Sequence, residues 1–207
     1  MDWVYLKLWA EGEEKTLRKC IIEALTRLVN SNAVNSEDEE IVVSGKLRPL
    51  LYKVKKEQKL IWILQPEASS FGEGEMPKPI GHPDFRFSYN TPTFDQYDYD
   101  IECKLVRIKR AGKSMDYCEY YVTEGIQRFQ TCKYAQSLPP MGTIIGYVQE
   151  GNIVGLMKEI NMKSKALCSS EMKLKGNIFE GGVTQMLQEL ARIKDSIKLF
   201  HIWADLR

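Results

Sequence analysis

The sequence predicts a mixed α/β fold, a sheet flanked by helices, and three observations predict it. Leu17, Ile21, Leu25 and Leu28 recur at spacings of three and four, which is one face of a helix. The segments HPDFRFSY (82–89) and YDYDIECKL (97–105) alternate apolar and polar residues, which is the period of a half-buried strand. Two short apolar runs, LIWIL (60–64) and GTIIGYVQ (142–149), read as buried strands. The length, 207 residues with 43% apolar and 28% charged side chains, suits one soluble domain with a full core.

Taken in order, Trp3 to Trp9 reads as a short strand. The helix from Glu13 ends near the polar cluster Asn30–Asn32. Ser36 followed by Glu39 has the form of a capping box. It would open a second helix carrying Ile41, Leu47, Leu50, Leu51 and Val54, kinked or broken at Gly45 and Pro49. After the LIWIL strand, Gln65 to Gly81 is rich in Gly, Pro and Ser and reads as a loop. In the first alternating strand Phe85, Phe87 and Tyr89 point one way and Asp84, Arg86 and Ser88 the other. In the second, Tyr97, Tyr99, Ile101, Cys103 and Leu105 oppose Asp98, Asp100, Glu102 and Lys104. Asn90–Thr93 supplies turn formers, so the two strands are expected to form a hairpin. A helix is expected over Ser114–Tyr134, a break at Pro139–Pro140, and then the Gly142–Gln149 strand. Next come a helix after Asn152, a Gly-containing stretch, a helix around Val183–Ile193 and a closing strand near Ile197–Ala204.

Composition excludes several classes. With 29 basic and 28 acidic side chains the chain has a net charge of +1, unlike a protein that coats nucleic acid. A nuclease needs positive charge only near its cleft, so that class stays open. Five cysteines with no CxxC pair suit neither a disulfide framework nor a zinc knuckle and read as scattered core residues of a reducing compartment. No signal peptide opens the chain and no apolar run approaches the ~20 residues of a membrane span, so a cytoplasmic protein is expected. Neither a phosphate-cradling glycine loop nor a nucleophile elbow occurs, Gly72-x-Gly74 lacking the rest of either pattern. His82 and His201, the two histidines, have no partner at ligand spacing, which argues against zinc.

Charged side chains on the two alternating strands carry the chemistry. Glu102 and Lys104 are two residues apart and share a strand face, and Asp84 lies 18 residues before Glu102 on the neighbouring strand. Two carboxylates suit Mg²⁺, with Mn²⁺ as substitute. A cation held there would polarise a phosphate and lower the pKa of a ligated water, while Lys104 orients or deprotonates that water. Glu-x-Lys by itself is uninformative, since it also occurs at Glu13/Lys15, Glu57/Lys59 and Glu171/Lys173. The same pattern fits a solvated strand face with a cross-strand ion pair.

HPDF…YDIECKLV resembles the PD-(D/E)XK signature of the restriction-endonuclease-like nucleases. The resemblance implies an αβββαβ core over about residues 37–150, preceded by a helix and followed by an α/β extension (151–207), in one nuclease-like domain. It also implies that Pro83–Asp84 is the PD element, Glu102 the second acid and Lys104 the lysine. Families of this kind add an acid from the first core helix, which implies Glu40 as a further metal ligand, with Glu39 or Glu67 as substitutes. They also place a polar or basic residue on the following helix toward the scissile phosphate, a role for Gln127 or Arg128 if these do not simply line a solvated face. The segment YYVTEGIQRFQTCKYAQSLPPMGTIIGYVQEGN and the closing LFHIWADLR are similar to stretches of nuclease-like proteins of bacterial defence loci. Cys132 stands where those have Gly, and Ile144 where Met is common.

The expected activity is therefore a Mg²⁺-dependent endodeoxyribonuclease, the DNA-cutting subunit of an anti-phage or anti-plasmid complex. Its partners would be DNA and a protein such as an ATPase or SMC-like sensor, with no membrane. Two rivals are a catalytically silent binding or scaffolding module whose acids form structural ion pairs, and an RNA-cleaving effector.

Overall fold

The computed structural model describes residues 3–68, 70–71, 79–90, 96–174, 181–192 and 195–207. Two long helices open the chain, α1 (Trp3–Asn30) and α2 (Glu40–Glu57). Strands β1 (Ile63–Pro66), β2 (Ser70–Phe71), β3 (Pro79–Gly81), β4 (Phe85–Tyr89), β5 (Tyr97–Arg110) and β6 (Lys113–Asp116) follow. A segmented helix runs from α3 (Cys118–Tyr121) through a π-helical turn (Val122–Ile126) into α4 (Gln127–Gln130). Strand β7 (Met141–Val148), helix α5 (Ile153–Cys168) and strands β8 (Met172–Leu174), β9 (Val183–Ala191) and β10 (Ser196–Asp205) complete it.

The architecture is mixed α/β. A sheet in the order β1-β4-β5-β7-β10-β9-β8, with β6 also paired to β5, is flanked by helices. Strands β5, β7 and β10 run parallel, and the outer pairings are antiparallel. Strands β2 and β3 form a separate two-stranded ribbon. One core lies under α1 and α2, where Leu17, Ile21, Leu25, Leu47 and Leu51 meet Phe87, Tyr99, Ile101 and Ile145. The other lies under α3, α4 and α5, where Phe129 and Ile160 meet Ile144, Leu199 and Trp203. Strand β7, between β5 and β10, is buried on both faces, which explains why it reads as a continuous apolar run. Among the described residues no helix is long and apolar enough to cross a membrane.

Several expectations need correction. Trp3–Trp9 is helical, because the strong helix from Glu13 extends backward through it and helix propagation is cooperative once nucleated. Trp9 packs on Trp62, with ring centroids 6.3 Å apart. The cap of α2 is Glu39 itself, with no side-chain hydrogen bond, and Ser36 takes no part. Helix α2 continues through Gly45 and Pro49 as one element. The LIWIL strand begins later, at Ile63, and runs to Pro66. Residues 113–116 are not helical, since Ala111 (φ 49°) and Gly112 (φ 78°) make a two-residue turn that sends β6 back along β5.

Val183–Ala191 is a strand as well. Its buried alternate positions are Thr184, Met186, Gln188 and Leu190, and two polar residues in that set hide the period of two. The expected hairpin of β4 and β5 is present, with Arg86 opposite Asp100 and Ser88 opposite Asp98. Its turn at 91–95 and the Gly72-x-Gly74 segment lie outside the described residues. Cys132, at the position where the resembled stretch has glycine, adopts φ 61°, a left-handed conformation that glycine takes most readily.

Packing at the start of β7 requires a residue without a side chain. A Cβ on Gly142 would stand 2.4 Å from Phe129 Cε1 and 3.1 Å from the Asp100 carbonyl oxygen. Gly142→Ala is expected to lower stability by about 1–3 kcal/mol, read as a fall in the thermal midpoint. Phe129→Leu in the same chain should recover part of that loss, and strictly additive losses would contradict the contact.

Candidate functional site

Strand β5, at 14 residues, is the longest of the sheet, and its two edges are used differently. One edge pairs with β7 from Asp100 to Arg107. The other pairs with β4 as far as Ile101 and with β6 from Arg107 onward, so residues 102–106 have no strand neighbour on that side. Buried backbone N–H groups must still find acceptors. Cys103 N–H donates to Asp84 Oδ2 (2.7 Å) and Leu105 N–H to Glu40 Oε2 (3.0 Å). Two carboxylates therefore take the place of the missing strand. Asp84 arrives from the residue just before β4, and Glu40 is the first residue of α2. The approach to α2 is held by Gln149, just after β7, whose Nε2 donates to the carbonyls of Asn35 and Asp38 (3.0 and 3.1 Å).

Glu102 and Lys104 share a face of β5, as their spacing predicts, and both are buried, at 1% and 4% exposure. Lys104 Nζ lies 2.8 Å from Glu102 Oε1. It donates to Glu40 Oε1 (3.0 Å) and to the Cys103 carbonyl (2.8 Å). Arg128 Nη1 donates to Glu102 Oε1 and to the Tyr134 hydroxyl (both 2.9 Å), while its Nη2 donates to Glu124 Oε2 (2.9 Å). The Tyr134 hydroxyl in turn donates to the His82 carbonyl (3.1 Å). One oxygen of Glu102 thus takes both cations. Its other oxygen, Oε2, is buried and accepts no hydrogen bond from the described residues.

The electrostatics follow from burial. Burial first, then the neighbouring Asp84 carboxylate, push Glu102 up to about 7 against the pull of Lys104 and Arg128. Burial also raises Asp84, although the Cys103 N–H and Lys104 oppose it. Lys104 is desolvated too, yet Glu102 and Glu40 hold it firmly protonated. As it stands, Lys104 is a cation and not a free base.

Of the residues singled out in the sequence, Glu40, Asp84, Glu102, Lys104 and Arg128 come together here. Gln127 does not join them and lies beside Cys168. Glu39 pairs with Arg110 instead (3.0 Å), and Glu67 is exposed. Asp98 and Asp100 share the Glu102 face but belong to another cluster. Arg86 grips Asp100 through Nε and Nη2 (2.6 and 3.2 Å), and the Ala135 N–H binds the same carboxylate (2.8 Å). His201 is a core group, held between Tyr121 (2.9 Å) and Gln188 (3.0 Å), and burial lowers it to about 3.

Three residues of the site carry no signal in the sequence: Tyr134, Glu124 and Tyr120, whose ring centroid lies 5.8 Å from Lys104 Nζ. Nothing in their spacing marks them, because a segmented helix and the loop after it bring them in. Among the described residues, one trio of metal-binding types has its ligand atoms within 4.8 Å of one another: Asp116, Cys118 and Glu159. Arg107 Nη2 bonds both acids there (2.5 and 3.1 Å), so that trio is an ion-pair cluster. The oxygens of Glu40, Asp84 and Glu102 are gathered less tightly, with the Lys104 ammonium between Glu40 and Glu102. A cavity of about 510 Å³ lined by Leu138, Pro139, Pro140, Asp195 and Lys198 shares no residue with the site.

Glu102 should make stability depend on pH. Its folded value of about 7 lies above the ordinary 4.5, so the folded chain holds a proton there that the unfolded chain has released. That contribution is full below 4.5 and is lost as the pH rises through 7. Relative to Glu102→Gln, which cannot titrate, the natural chain should gain on the order of 3 kcal/mol between alkaline and acidic pH. Denaturant unfolding of both proteins across this range measures it, and a constant difference would contradict the assignment. No protein-family model, no curated protein and no solved structure matches the chain.

Proposed function

We propose that this chain is a metal-dependent phosphodiesterase of the restriction-endonuclease-like type, an endonuclease acting on DNA. The observation that carries the reading is the buried, unpartnered Glu102 Oε2, next to the Asp84 carboxylate and two cations. An ionisable oxygen held out of water without a donor is costly. A divalent cation would satisfy it, and all-oxygen donors suit Mg²⁺. Glu102 Oε2 and Asp84 Oδ1 would hold the ion, since Asp84 Oδ2 is committed to the Cys103 N–H. Glu40 gives one oxygen to the Leu105 N–H and the other to Lys104, and would join the ion only by releasing that ammonium. When bound, Mg²⁺ supplies charge neutralisation at the phosphate and a more acidic water.

The chain's own groups divide the remaining work. Asp84 and Glu102, as carboxylates, would hold the cation and make no contact of their own with the phosphate, which they repel. Lys104, held protonated by its neighbours, donates to a phosphate oxygen and orients the attacking water. Arg128 reaches the same place from α4 and offers a charge-assisted hydrogen bond to a second oxygen. The order of elements supports the reading as well: α2, the antiparallel β1, β4 and β5, a segmented helix, and then β7 parallel to β5. The resemblance to defence-locus proteins extends the proposal to an effector subunit working with a sensor partner. One observation favours a silent, scaffolding role: Lys104 has three acceptors and closes the acid cluster as a salt-bridge network.

Divalent metal separates the two. Mg²⁺ or Mn²⁺ at 100 times its Kd should stabilise the fold by about 2.7 kcal/mol, seen as a thermal midpoint raised by several degrees. Asp84→Asn and Glu102→Gln should abolish that shift, and an unchanged response in Asp84→Asn would remove the metal assignment. Lys104→Met keeps the packing of the stem while removing the charge. It should preserve the metal response and slow cleavage of plasmid or linear duplex by about 100-fold or more. Normal cleavage by this variant would exclude Lys104 from the chemistry.

A further inference from the structure

The hairpin that closes the open edge of β5 carries charge that the site does not use. Strand β5 runs on past Lys104 and returns as β6 through the turn at Ala111–Gly112. Every residue of β6 is exposed, as are Lys109 and Arg110 at the end of β5. Arg110 sits directly opposite Lys113, and Lys109 opposite Ser114. Two like charges facing each other across an antiparallel pair cost stability. Lys109 and Lys113 have no ionic partner among the described residues, so nothing offsets that cost for Lys113.

Arg110 does have a partner. Its guanidinium binds Glu39 (3.0 Å), and Glu37 Oε1 accepts the Ala111 N–H (3.2 Å). Both members of the Arg110–Glu39 pair are more than half exposed, at 52% and 58% of their side chains. A pair so open to solvent is weak and exchanges readily for another anion. The acidic stretch before α2 therefore lies where a polyanion would lie, against the same donors.

We propose that the β5–β6 hairpin is a second contact for the nucleic-acid substrate, gripping the phosphate backbone of duplex DNA through Arg110 and Lys113, which face each other across the ladder and so share one face of the hairpin, with Glu37 and Glu39 competing for it. The proposal rests on the phosphodiesterase reading of the site for its choice of partner. Geometry supports it, because strand rise puts Arg110, and Lys113 opposite it, about 17–20 Å from Lys104 along β5. At about 3.4 Å per base pair, that reaches a backbone position about five pairs from the phosphate at the site. A two-stranded ribbon also has the width that a major groove admits.

The test uses the full chain with EDTA present, so that binding is read without cleavage. A short fluorescein-labelled DNA duplex and its single strand are titrated with protein across about 50–200 mM salt, and binding is followed by anisotropy. For the duplex, Lys113→Ala should weaken affinity and make the salt slope shallower by about 1, for the one phosphate that goes unneutralised. Glu37→Gln with Glu39→Gln should tighten it by up to about fivefold.

An unchanged slope in the lysine variant overturns the proposal, and so does a weakening confined to the single strand. Lysines on an exposed strand edge also discourage edge-to-edge pairing, and a variant that self-associates while binding duplex normally would assign them that role instead. Cleavage in Mg²⁺, scored separately, tells the two readings apart. Duplex binding that depends on the hairpin in a protein that cuts nothing removes the nuclease and keeps the hairpin contact. Cutting that ignores the hairpin does the reverse.

Discussion

The constraint on which the rest depends is an interruption in one ladder. For five residues, 102–106, the outer edge of β5 has no strand beside it, because β4 ends its pairing at Ile101 and β6 begins at Arg107. Two N–H groups in that interval take carboxylates as acceptors, Asp84 and Glu40. An acid held this way is committed by one oxygen and oriented by it, which fixes where the other oxygen can go. Glu102 and Lys104 project from the same stretch of strand. Four charged side chains from three parts of the chain are thereby registered to a single piece of backbone, which is how rigid scaffolds hold reactive groups.

Strain appears in the ionisation of that group. Three carboxylates and two cations are packed where water is scarce, and Asp84 and Glu102 respond by shifting upward while the cations stay charged. Shifts of this kind gather where function resides, although structural networks produce them too. The feature that separates Glu102 from the neighbouring cluster is incompleteness. Asp100 is equally buried, but its oxygens take Arg86 and the Ala135 N–H. Glu102 has one oxygen doubly engaged and the other without a donor. Gln149 and Glu150 also keep a buried oxygen without a partner among the described residues, so it is the place beside Asp84, Lys104 and Arg128 that distinguishes the Glu102 oxygen.

Much of this is legible in the sequence where a local period states it. The alternation over 82–89 and 97–105 yields the hairpin and the face shared by Glu102 and Lys104. Asp84 is legible from the alternation that sets it on the strand beside Glu102 and Lys104, Glu40 only by resemblance, and nothing in the spacing of either says that it will accept from an N–H of β5. Misreadings arise where polar residues occupy core positions. Gln188 and Thr184 are buried on β9, where His201 and Ser164 give Gln188 its partners, and a pattern of apolar spacing reads them as the wet side of a helix. The Lys113–Asp116 strand is invisible because all four residues are exposed and only a two-residue turn creates it. Gln127 pairs with Arg128 by proximity in the chain, but consecutive residues on a helix point in different directions.

That last point has a wider consequence through the π-helical turn at Val122–Ile126. A wide turn accommodates one residue more than an α-turn, so everything downstream is advanced by one step of about 100°. Arg128 faces Glu102, and Gln127 faces Cys168, only in that phase. The insertion thus behaves as a frame setting for the helix. Deleting a single residue between Tyr121 and Gln127 would turn the guanidinium away from Glu102, so the length of this segment matters to the site as much as its buried Val122, Gly125 and Ile126 matter to the core.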